Sequence, residues 1–123
     1  MTLSLGQGAH LVAIARKTVE TAVVEGRVPG RDELPPWPEG EDEFREGLRG
    51  AFVTLTDLDG GLRGCIGVPY PVKPLWEAVV HAAVGAATHD PRFPRVRAAE
   101  LGSFRVEVSA LTAPETLEYK ERV

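Results

Sequence analysis

The residues of this sequence best suited to chemistry gather in one hexapeptide, Leu62-Arg63-Gly64-Cys65-Ile66-Gly67, which carries the single cysteine of the chain. Along an extended strand, alternation puts Arg63, Cys65 and Gly67 on one face and Leu62, Gly64 and Ile66 on the other. The guanidinium and the thiol are then same-face neighbours. A guanidinium beside a thiol favours the thiolate, the form that acts as nucleophile or ligand, whereas apolar burial leaves the thiol inert. Free cysteine is often buried in cores, so residue type alone leaves a reactive and a packing role both open. Glycines form strands poorly, and two of them beside Cys65 imply a bulge or the close approach of another backbone or a ligand.

Two further groups could act with it. Asp90-Pro91-Arg92-Phe93 joins a carboxylate and a guanidinium in a loop at a helix end, where functional residues collect, although the same residues suit a simple helix-terminating turn. Glu107 and Ser109 share the polar face of a strand, as exposed strand faces commonly do. One cleft lined by Arg63, Cys65, Asp90, Arg92, Glu107 and Ser109 is therefore expected. Among the histidines, His81 and His89 stand eight apart on one helix, too far for an i, i+4 clamp, and His10 lies near a terminus. No metal site and no cofactor fingerprint is expected.

These residues need elements to position them. From about His10 to Glu25, apolar residues recur at helical spacing with Gly26 as a stop, an amphipathic helix. Residues 27–40 hold Pro29, Pro35, Pro36 and Pro38 and read as an irregular connector, with Trp37 as a packing anchor. Ala51 to Thr56 and Leu62 to Val68 form a hairpin around Asp57-Leu58-Asp59-Gly60-Gly61. Pro74 opens a helix from about Leu75 to Thr88, with Trp76, Val79, Val80, Ala83, Ala86 and Ala87 facing the sheet. A short helix follows from Arg97 to Leu101. In Phe104 to Leu111, Phe104, Val106, Val108 and Ala110 point one way and Arg105, Glu107 and Ser109 the other. The expected fold is α+β, a largely antiparallel sheet flanked by helices.

Composition narrows the setting. A length of 123 residues, 43% apolar and 26% charged, suits one domain spanning 1–123. A net charge of −4 disfavours nucleic acid and anionic lipid as partners. Arginine outnumbers lysine 11 to 3, which suits planar recognition of carboxylate or phosphate. One cysteine excludes an intrachain disulfide, and neither a basic-then-apolar leader nor a membrane-length apolar run is present. A cytoplasmic location is expected.

Taken in order and spacing, Phe52-Val53-Thr54-Leu55, the Leu62–Gly67 hexapeptide, Asp90-Pro91-Arg92-Phe93-Pro94, Glu100-Leu101 and Glu107-Val108-Ser109-Ala110-Leu111 resemble the AMMECR domain family. The hexapeptide is that family's signature, and the resemblance runs from about the first helix to Leu111. It implies an antiparallel sheet flanked by helices, a cytoplasmic or nuclear location and a cleft near the hexapeptide, but no known reaction. Bacterial and archaeal relatives resemble one component of the AmmeMemoRadiSam gene set. The same set encodes a Memo-like protein, related to non-haem iron dioxygenases, and a radical-SAM protein, and these are the partners the resemblance implies. Where family members often carry a bulky residue before the Asp-Pro-Arg-Phe loop, this chain has His89, so no role passes to that position. Family domains also run on into a Gly- and Leu-rich segment where this sequence has a charged tail. The expectation is a shortened domain that covers its open edge by homodimerising, or by folding Glu115 to Val123 back as a short strand or helix.

Three functions compete. In the first, the cleft is a binding or accessory module for a small anionic ligand or modified peptide, working with partner enzymes. Gly64, Gly67, Arg63, Arg92 and Ser109 would line it. The second is an enzyme with Cys65 as nucleophile or acid, Arg63 and Arg92 binding substrate, and Asp90 or Glu107 moving protons. The third, a nucleic-acid-linked regulator, is opposed by the acidic balance. Binding is favoured over catalysis because no histidine is placed to serve as the base of the cysteine.

Overall fold

Alternating Ala51, Val53 and Leu55 with Phe52, Thr54 and Thr56 gives the chain one dry and one polar strand face, and this period builds β1, Gly50–Asp57. The structure, a computed structural model, describes residues 5–36, 45–111 and 116–121. A turn returns β1 to β2, Leu62–Val68. Asp57 Oδ1 accepts the N–H groups of Asp59 (3.0 Å) and Gly61 (2.8 Å), while Gly60 takes a φ of 93° that side chains rarely tolerate. Two more strands complete the sheet, β3 (Phe104–Leu111) and β4 (Thr116–Lys120). The spatial order is β2-β1-β3-β4 and every neighbour is antiparallel, so the fold is α+β as expected.

Two long helices cover the same face. Helix α1 (Leu5–Glu25) begins a turn and a half before the expected start and ends where Gly26 adopts a φ of 69°. Helix α2 spans Leu75–Thr88. Leu11, Ile14 and Val19 of α1 and Ala78, Val79, Ala82 and Ala83 of α2 are buried against Val53, Leu55, Val106 and Val108. Each large aliphatic side chain fully buried this way stabilises by roughly 1.5–3 kcal/mol. Trp76, expected to face the sheet, packs half-buried against the core and also meets the connector, where the Arg31 guanidinium lies 5.3 Å from its ring centre.

Local differences from expectation are small. The connector contains one 3-10 turn, Arg31–Glu33, within the stretch read as irregular, and His10 bonds the Pro35 backbone. Trp37, the expected anchor, lies outside the described residues. The short helix at Arg97 to Leu101 is a 3-10 turn, Ala98–Glu100. The charged tail supplies β4, its Tyr119 ring occupying the space that a side chain on Gly8 would need. Arg16 of α1 holds this end, donating to Glu121 (2.6 and 3.1 Å), Leu101 O (2.7 Å) and Phe104 O (3.0 Å). Among the described residues no helix is long and apolar enough to cross a membrane.

Candidate functional site

Strand β2 is an edge of the sheet, so among the described residues one side of its backbone has no strand to pair with. At Cys65 a carboxylate and a guanidinium take the place of that strand. Asp90 Oδ2 accepts the Cys65 N–H at 2.9 Å, and Arg92 Nη2 reaches the Cys65 carbonyl at 3.4 Å. The two side chains are joined to each other by Arg92 Nε to Asp90 Oδ1 (3.0 Å) and Nη2 to Oδ2 (2.8 Å), and the Arg92 N–H also donates to Oδ1 (3.0 Å). The Arg92 guanidinium, with the Cys65 N–H second, holds the Asp90 carboxyl far below the usual carboxylate range. The Asp90 side chain is 2% exposed and that of Arg92 56%, so the pair has a buried acid and a cation open to solvent.

The thiol itself points to the helix-free face. Its partner is the Thr54 hydroxyl directly across the hairpin, with Oγ1 and Sγ 3.2 Å apart. Thr54 in turn stands opposite Glu107, which stands opposite Lys120, giving one row across all four strands. Two strand spacings put Cys65 and Glu107 about 10 Å apart at their Cα atoms. Glu107 lies 3.9 Å from the Lys120 ammonium. Ser109 belongs to the next row, opposite Phe52, which in turn stands opposite Gly67.

Arg63 shares the Cys65 face, but its charge is committed elsewhere. Nε and Nη2 make a forked pair with Glu100 at 2.8 and 3.1 Å, and the guanidinium lowers the pKa of that carboxyl. Of the reasons expected for the two glycines, close approach of another backbone holds at Gly64, and a side chain packs on Gly67. Gly64 lies on the opposite face, where any side chain would strike the Ala86 carbonyl of α2, and the Phe52 ring covers Gly67.

The structure thus brings Cys65, Asp90 and Arg92 into direct contact and aligns Glu107 in the same row. Ser109 stands one row away, Arg63 is paired with Glu100, and Gly64 is on the other face. A groove of about 590 Å³ lies on the helix side instead, and none of these residues lines it. Two partners were missed in the sequence. Thr54 was legible from the hairpin register, which pairs it with Cys65; nothing in the sequence assigns Glu100 to Arg63. No group of three or more His, Cys, Asp or Glu suited to a metal ion occurs among the described residues.

The family model described as AMMECR1 matches residues 12–123. A protein of Methanosarcina acetivorans is 50% identical over 115 residues, covering 90% of this chain and 54% of its own length. One of Methanothermobacter thermautotrophicus is 50% identical over 119 residues, covering 94% and 57%. The chain therefore spans about half the length of these relatives. The crystal structure of an uncharacterised protein from Pyrococcus horikoshii superposes with a TM-score of 0.76 at 38% identity, over 88% of this chain and 52% of the other.

Proposed function

We propose, since this chain belongs to the AMMECR1 family, that it is a binding module whose helix-free sheet face around Cys65 takes an anionic group of a small ligand or modified peptide. It serves partner enzymes, of the Memo-like and radical-SAM kinds that the gene-set resemblance implies. One observation carries the reading: the Asp90–Arg92 pair is spent on gripping the Cys65 backbone. An acid held ionised this strongly is a poor proton carrier, since it gives up its bound partners before it takes a proton. Arg92 keeps its Nη1 without a partner among the described residues, so its exposed edge remains available to a carboxylate or phosphate.

The enzymatic alternative needs a base at the sulfur, and the side chain within reach there is a threonine hydroxyl. Surface plasmon resonance on the immobilised Memo-like and radical-SAM proteins tests the proposal. Saturable binding to at least one is expected, weakened about tenfold by Arg92→Ala and changed less than about twofold by Cys65→Ser. Binding to neither partner, or loss of binding in Cys65→Ser alone, would remove it.

A further inference from the structure

The fold builds a second site on the other side of β2. Val28 from the connector, Ile66 from β2 and Trp76, Val80 and Val84 from α2 wall the 590 Å³ groove, a volume typical of small-molecule sites. Three separate elements contribute, so its shape is set by packing and not by one mobile loop. Arg31, lying over the Trp76 ring and paired with Glu46, fixes the aromatic wall. Val28 is left 56% exposed at the mouth, an apolar side chain in water that a bound apolar body would cover.

The charges around the groove are unequal. Lys73 lines it with no ion-pair partner among the described residues, and His81 and His89 add ring nitrogens, His89 already bonded to Thr88 through Nδ1. Glu77 is the one acid among the lining residues. We infer that the groove binds a small amphipathic carboxylate, an aromatic or branched apolar body seated on Trp76, Val80 and Val84 with its anionic end at Lys73. The site is independent of the Cys65 face, because Ile66 and Cys65 point to opposite sides of the sheet.

Proton–nitrogen correlation NMR of the whole chain, titrated with 4-phenylbutyrate and separately with 4-phenylbutanol, decides this. The expected result is saturable shifts at the Trp76 indole and the Val80 and Val84 amides. The acid should bind about fivefold more tightly than the alcohol, an advantage lost in Lys73→Glu. Val84→Trp, which fills the groove from a half-buried helix position and leaves Lys73 in place, should abolish the shifts for both probes. Equal affinity for acid and alcohol overturns the inference, as do shifts confined to Cys65 and Arg92, shifts unaffected by Lys73→Glu, or no saturable shifts. Shifts at Cys65 and Arg92 would instead bear on the Cys65 face, so the two sites are read separately in one experiment.

Discussion

Asp90 holds the Cys65 edge of the sheet in place. Its pKa is depressed by the Arg92 guanidinium first and by the Cys65 N–H second, so folding favours the ionised form. A carboxylate of this kind contributes its full stability above its unfolded pKa, near ~4, and loses it as pH falls through the lower folded value. Asp90→Asn is expected to melt several degrees below wild type at pH 7, with the gap closing as pH drops below about 4. Thermal melts across a pH series check this. A gap that stays constant down to pH 2 would mean that the charge of Asp90 does not hold the clamp. The loop was legible as a carboxylate and guanidinium at a helix end, but its target was not. Which backbone Asp90 grips depends on α2 delivering the loop to the edge of β2, a tertiary fact that no local pattern encodes.

The hexapeptide shows how element packing sorts residues that look alike in sequence. Gly64 and Gly67 both flank the cysteine, yet one meets the rigid backbone carbonyl of Ala86 and the other a single aromatic ring. Gly64→Ala must push α2 off the sheet and is expected to cost about 1–3 kcal/mol, whereas Gly67→Ala can be met by rotating Phe52 and costs less. Urea denaturation of both variants measures the order, and a Gly67→Ala cost equal to or above that of Gly64→Ala would contradict this packing. The elements themselves were largely written in hydrophobic period. Helix α2 and strand β3 have the bounds read from it, Leu75–Thr88 and Phe104–Leu111, because their apolar residues keep strict spacing. Strand β4 was not told apart from a helix in the charged tail, since five residues with two apolar positions, Leu117 and Tyr119, carry too little alternation to distinguish the two. The glycines were read as marking a bulge or the close approach of another backbone or a ligand beside Cys65, and at Gly64 it is another backbone. They mark a helix and a ring packed close, because a missing side chain looks the same in sequence whether a ligand or a neighbour fills its place.

Across the whole molecule, α1 and α2 stack on one face and, among the described residues, no helix covers the other, so the edge strand β2 divides two surfaces of different character. On the helix side is an apolar groove with Lys73 beside it; on the other a polar row runs from Cys65 through Thr54 and Glu107 to Lys120. On the proposed reading the second surface binds and its cysteine is held in place rather than activated. Alkylation of native Cys65 by iodoacetamide at pH 7, followed by mass spectrometry against a cysteine in an unstructured peptide, tests that claim most directly. A rate equal to or below that of the peptide is expected; a rate more than about tenfold above it would show an activated thiolate and overturn the binding role.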